Sequence, residues 1–240
     1  MRKIPVLEIF GPTVQGEGAV VGRKTMFVRT AGCDYRCAWC DSAFTWDGSA
    51  KEDIRLLSAD EIWAELVKIG GNTFDHVTIS GGNPALLPQM GGLLVKLNEQ
   101  GVKTALETQG SRWQDWFYQI DELTISPKPP SSTMETDFDQ LSLIINRLVG
   151  KEKSVSLKVV IFDEKDLAFA KKVHQLYPEV PFFLQTGNGD LKEQNPANLL
   201  PYLVKRYEWL INEVMPDEEW KDVRILPQLH TFVWGNKQGV

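Results

Sequence analysis
At 240 residues, 42% of them hydrophobic, the chain is long enough to bury one sizeable core, and a single domain over residues 1–240 is the expectation. A net charge of −6 and a pI near 5.2 argue against a nucleic-acid partner, and the pairs Lys151/Lys153 and Lys171/Lys172 read as solvated faces. No apolar run approaches the roughly 20 residues of a membrane span and the first residues hold no signal-peptide core, so no membrane partner and a cytoplasmic, reducing setting are expected.

In chain order, Val6 to Phe10 reads as a short strand. The loop from Gly11 to Gly22 sets Gln15 and Glu17 among glycines, as a backbone does where it must approach something closely. Thr25 to Arg29 reads as a buried strand delivering the chain to Cys33-Asp34-Tyr35-Arg36-Cys37-Ala38-Trp39-Cys40, which holds every cysteine of the protein. Three thiolates spaced C-x3-C-x2-C can wrap one metal centre and leave a coordination position open. Zinc would need a fourth ligand from His76, His174 or His230, all distant in sequence, and three unrelated buried thiols is a further alternative. A disulfide fits poorly, because the number is odd and the spacing short.

Beyond Trp46, Ser58 followed by Glu61 has the form of a capping box opening a helix with Ile62, Leu66 and Ile69 on its apolar face. Strand His76–Ser80, the turn Gly81-Gly82 and a helix carrying Met90, Leu93, Leu94 and Leu97 form a unit. Strand Thr104–Glu107 and a helix bearing Trp113, Trp116, Phe117 and Ile120 repeat it, and strand Leu123–Ser126 ends at the proline-rich stretch 127–132. A helix with Phe138, Leu141, Ile145 and Leu148, strand Val155–Phe162, helix Asp166–Tyr177, strand Phe182–Gln185, a long helix with Leu200, Leu203, Tyr207, Leu210 and Val214, and strand Val223–Leu226 complete the alternation. About six strand and helix pairs follow the cysteines, which predicts a mostly parallel α/β sheet with right-handed crossovers. Such sheets work at the C-terminal ends of their strands. Arg29, Ser80, Glu107, Ser126, Lys158, Gln185 and Gln228 are therefore expected to look into one cavity. The aromatic end with Phe232 and Trp234 is expected to dock.

C-x3-C-x2-C together with F-G-P-T-V-Q-G-E-G, F-V-R-T-A-G-C, C-D-S, S-G-G-N-P, E-T-Q-G, S-P-K and L-P-Q-L-H closely resembles the 7-carboxy-7-deazaguanine synthases, a family of radical S-adenosylmethionine enzymes. The likeness runs from residue 10 to the C-terminus. It implies a partial (β/α)6 barrel and a 4Fe-4S cluster on Cys33, Cys37 and Cys40 that binds and cleaves S-adenosylmethionine. The implied reaction converts 6-carboxy-5,6,7,8-tetrahydropterin to 7-carboxy-7-deazaguanine with loss of ammonia, in the route to 7-deazapurines such as queuosine. By the same resemblance Trp39, Gly81, Gly82, Ser126, Pro127, Lys128 and Gln228 contact S-adenosylmethionine. Val14, Gln15, Gly16, Glu17, Arg29, Ser80, Glu107 and the Val240 carboxylate face the substrate. Ser42 stands where many members have a threonine that binds Mg²⁺, and Asn83 replaces the usual acid of the Gly-Gly-Glu-Pro turn. The family further implies a homodimer, and the cluster an electron donor such as flavodoxin or ferredoxin. The competing readings are a glycyl-radical activase of the same superfamily and a zinc-stabilised, non-catalytic binding module.

Overall fold
The computed structural model describes residues 2–240. One nine-stranded sheet runs through the molecule: β1 (Ile4–Val14), β2 (Lys24–Thr30), β3 (Arg55–Leu57), β4 (His76–Gly81), β5 (Lys103–Thr108), β6 (Glu122–Ile125), β7 (Val155–Ile161), β8 (Phe182–Thr186) and β9 (Arg224–Leu226). The spatial order is β3-β1-β2-β4-β5-β6-β7-β8-β9. Strands β2 and β4 to β9 are parallel, whereas β1 pairs antiparallel with both β2 and β3. Strands β4 to β9 form the expected unclosed partial barrel, and β2, β1 and β3 extend the sheet at its edge.

The helices are α1 (Ala59–Gly70), α2 (Met90–Glu99), α3 (Phe138–Val149), α4 (Glu164–Leu176), α5 (Pro196–Val214) and α6 (Leu229–Trp234). Side-chain direction along the strands follows the period of two. On β7, Leu157, Val159 and Ile161 join the core under the helices, while Lys158 and Val160 face the barrel interior. The capping box is present: Glu61 N–H donates to Ser58 Oγ at 3.2 Å and Ser58 N–H to Glu61 Oε2 at 2.7 Å.

Three local expectations are corrected. The strand ending at Phe10 continues to Val14, because Thr13 pairs with Thr25 and Val14 with Lys24 beyond an irregularity at Phe10–Thr13; reciprocal bonds between Gln15 and Gly22–Arg23 then shorten the loop. The aromatic stretch 113–120 is a 3₁₀ turn over Asp115–Gln119, not an α-helix; Trp116 Nε1–H donates to the Leu87 carbonyl at 3.2 Å, so tertiary docking overrides helical periodicity. Ile69 lies outside the buried face of α1, which consists of Ile62, Leu66 and Gly70. No helix among the described residues is long and apolar enough to cross a membrane.

Candidate active site
A cavity of about 620 Å³ opens at the C-terminal ends of the parallel strands. Its wall gathers residues from Phe10 to Val240, and of the residues expected there only Pro127 and Gln185 are missing from it. Pro127 instead precedes Lys128, whose Nζ reaches Ser126 Oγ at 3.2 Å and lies 5.6 Å from the centre of the Trp39 ring. Gln185 is fully buried beside Glu17, with no well-formed hydrogen bond of its own.

The floor is ionic. Lys158, 3% exposed, donates to Glu17 and, at 3.1 Å, to Glu107 Oε2. Burial by itself would lower the lysine and raise Glu17. The opposite charges win: Glu107 and Glu17 hold the Lys158 ammonium above the usual lysine range, and Lys158 with His230 holds the Glu17 carboxyl below the usual carboxylate range. Glu17 reaches this floor because Gly16 passes against α6: its carbonyl accepts from Leu229 N–H at 3.0 Å, and a Cβ there would strike His230. Gln228 Nε2 donates to Glu17 Oε1 at 3.0 Å, and Glu107 keeps its buried Oε1 without a partner. This buried, unspent acceptor, with the Glu17 carboxylate nearby on the same lysine, suits a ligand edge carrying adjacent N–H donors.

On the β2 side, Arg29 Nε lies 3.1 Å from Glu8 Oε1 and Arg29 Nη1 donates to Ser42 Oγ at 2.9 Å. Its guanidinium is 5.4 Å from the ring centres of both Phe10 and Phe44. Asp41, which no local pattern in the sequence marks as a site residue, also lines the cavity, and its Oδ1 accepts from Ser42 Oγ at 3.1 Å. One ligand atom each from Glu17, Asp41 and His230 lie within 4.8 Å of one another, a hard-donor group able to take a cation. His230 thus belongs to the oxygen-rich end of the cavity, while His76 is buried against Thr25 and His174 against Phe182 and Trp220.

All three cysteines are free thiols on the cavity wall. Three soft thiolate donors gathered on one short loop of the cavity wall suit an iron–sulfur cluster. Burial pushes all three thiols up, Cys37 to about 11, so metal binding must displace protons. The ammonium of Lys128 works against that rise at each of them.

The loop is held from two sides. Ala38 N–H donates to the Ser132 carbonyl at 3.0 Å, and Asn83 N–H to the Gly32 carbonyl at 2.8 Å. Gly82 packs so tightly on Gly32 that any Cβ would overlap the Gly32 carbonyl, which explains a glycine there. Asn83 is fully buried and spends its amide inside the protein: Nδ2 donates to Asp34 Oδ1 at 2.9 Å and Ser111 Oγ at 3.0 Å, and Oδ1 accepts from Thr108 Oγ1 at 2.8 Å and from Ala85 N–H at 3.2 Å. It ties the cysteine loop to the end of β5, a role its place in the glycine turn did not reveal. The tail also docks: Asn236 Nδ2 donates at 2.8 Å to the carbonyls of Asp190 and Glu193, and Val240 comes to the cavity wall.

Residues 27–155 match the model of the radical SAM superfamily. The chain is 64% identical over 240 residues to a 7-carboxy-7-deazaguanine synthase of Bacillus cereus, covering 100% of both chains. It is 60% identical to that of Bacillus subtilis over 241 residues, covering 100% of this chain and 99% of the relative. Among solved structures it is similar to QueE from Escherichia coli, with a TM-score of 0.68, 22% identity and 95% of each chain covered, a likeness that bears on the fold. With its three cysteines on the wall of one cavity and its full-length likeness to these enzymes, the chain belongs to the 7-carboxy-7-deazaguanine synthase family of the radical SAM superfamily.

Proposed function
We infer that this enzyme converts 6-carboxy-5,6,7,8-tetrahydropterin to 7-carboxy-7-deazaguanine with release of ammonia. The observation that carries the reading is the sharing of one cavity by the three thiols and the Glu17–Lys158–Glu107 floor. Cys33, Cys37 and Cys40 would hold the 4Fe-4S cluster, with Trp39, Gly81, Gly82, Ser126, Lys128 and Gln228 around S-adenosylmethionine and Pro127 shaping the turn that carries Lys128. When bound, the pair supplies the carbon-centred radical that starts the rearrangement.

The remaining work is the protein's own. Glu17 and Glu107 accept from the amino and ring N–H groups of the pterin edge, with Gln15 and Gly16 forming the adjacent loop and Val14 and Ser80 flanking. Arg29, already oriented by Glu8 and Ser42, offers its remaining N–H groups to the substrate carboxylate, and the Val240 carboxylate closes the far side. Ser42, with Asp41 alongside, supplies hard oxygens for Mg²⁺. On this reading Ser42→Ala lowers activity at least tenfold at limiting Mg²⁺ and less at saturating Mg²⁺; equal activity with Mg²⁺, Mn²⁺ and no added metal would remove Ser42 from the site. A low-potential donor such as flavodoxin or ferredoxin, a homodimer, a cytoplasmic setting and a single catalytic domain complete the proposal.

The test is anaerobic incubation of the reconstituted enzyme with S-adenosylmethionine, a reductant and the carboxylated tetrahydropterin. The 7-carboxy-7-deazaguanine product and ammonia should appear in equal amounts. Turnover of S-adenosylmethionine to 5′-deoxyadenosine with no deazaguanine product would refute the substrate assignment.

A further inference from the structure
Two side chains outside the proposed ligand set clasp the cysteine loop. Trp46 Nε1–H donates to Cys40 Sγ at 3.4 Å. The Trp46 indole is held in place: Thr45, buried, donates from its N–H to the Ser42 carbonyl at 3.0 Å and from its Oγ1 to the same carbonyl at 2.7 Å, and Trp46 N–H donates to the Ala43 carbonyl at 2.9 Å. Arg36, exposed between the first two cysteines, places its guanidinium 4.7 Å from the centre of the Trp46 ring. The same guanidinium donates to the Cys33 carbonyl at 2.7 Å and the Tyr35 carbonyl at 2.9 Å. Cation, ring and N–H thus form one chain from the backbone at Cys33 to the sulfur of Cys40.

We propose that Trp46 is a positioning residue of the metal centre, whose N–H to Cys40, held by Arg36, raises the reduction potential of the cluster those cysteines bind. The inference rests on the cluster reading above. A donor to a ligating sulfur stabilises the form carrying more negative charge, here the reduced one, and a nearby cation acts in the same direction. A tryptophan that merely packed would show no preference for sulfur, and neither charge nor hydrogen bond would register in the potential. Phenylalanine keeps the ring and the cation contact while deleting the N–H.

The experiment is a redox titration of anaerobically reconstituted enzyme followed by electron paramagnetic resonance, with iron and sulfide content measured first. Trp46→Phe should hold the same iron and sulfide as the wild type and be harder to reduce. At the wild-type midpoint its reduced-to-oxidised ratio should fall severalfold, a tenfold fall being about 59 mV for one electron. Arg36→Met should move the ratio the same way by a smaller factor. An unmoved midpoint in a fully loaded Trp46→Phe overturns the inference. Should that variant fail to load, Arg36→Met decides, and its unmoved midpoint is equally fatal. Wild-type protein that takes up no iron would bring down the cluster reading itself, an outcome distinct from a loaded wild type with unmoved variants.

Discussion

Replacing Lys158 by methionine is expected to cost about 3–5 kcal/mol of stability, because it leaves two carboxylates facing each other without their buried cation. Lys158 is nearly fully enclosed, and Glu17 and Glu107 meet only through it. The pH dependence should change sign as well. In the wild type Glu17 titrates below its unfolded value, so its contribution is present above about pH 4.5 and lost as the pH falls through the folded value. In Lys158→Met the main charge opposing the burial of Glu17 is gone and only His230 and weaker hydrogen bonds remain against it, so its carboxyl is raised and the variant loses stability as the pH rises from about 4.5 toward 7. Denaturant unfolding of both proteins across that range checks this, and Lys158→Met/Glu17→Gln should recover part of the loss. Parallel profiles in wild type and variant would mean that the triad does not hold the floor together.

Asn83→Asp should be nearly as damaging despite its matching shape. It removes the Nδ2 donor that serves Asp34 and Ser111, and it sets a second carboxylate within hydrogen-bond distance of the Asp34 carboxylate, with Asn83 fully buried. A loss of about 3–5 kcal/mol follows if the charge stays unpaired, and iron retention after reconstitution should fall more than tenfold because Asp34 lies next to Cys33. Asp34→Asn in the same chain exchanges acid and amide and should restore part of both. The rescue is incomplete, since Gln109 and Ser111 also donate to Asp34, at 2.6 and 2.7 Å. A double variant no better than Asn83→Asp alone would show that this contact does not anchor the loop.

These two sites mark where the sequence was legible and where it was not. The cysteine spacing, the alternation of strands and helices and the capping box at Ser58 are local patterns, and each appears where the residues place it. The 3₁₀ turn at Asp115–Gln119 was hidden because its aromatics dock on the segment around Leu87 rather than repeat along a helix. Strand β3 has three residues with an exposed Leu56, too short to show any period. Lys158 stood out as a charge in an apolar run, yet Glu17 lies 141 positions away and only the closing of the sheet brings them together. The sequence shows Asn83 only as an amide in place of the usual acid of the glycine turn; its partners Asp34, Thr108 and Ser111 lie 25 to 49 positions off and give no local hint of its role. The sequence offers His230 only as a distant metal-ligand candidate and Asp41 only as part of C-D-S; their meeting depends on α6 bringing His230 over Glu17.

The account turns on what the three sulfurs hold, and metal and sulfide analysis after anaerobic reconstitution tests that most directly. Wild-type protein should carry about four irons and four sulfides per chain, with a spectrum that changes when S-adenosylmethionine is added, and Cys37→Ala should lose both the intact cluster and turnover. One equivalent of zinc without iron or sulfide, or full turnover by Cys37→Ala, would contradict it.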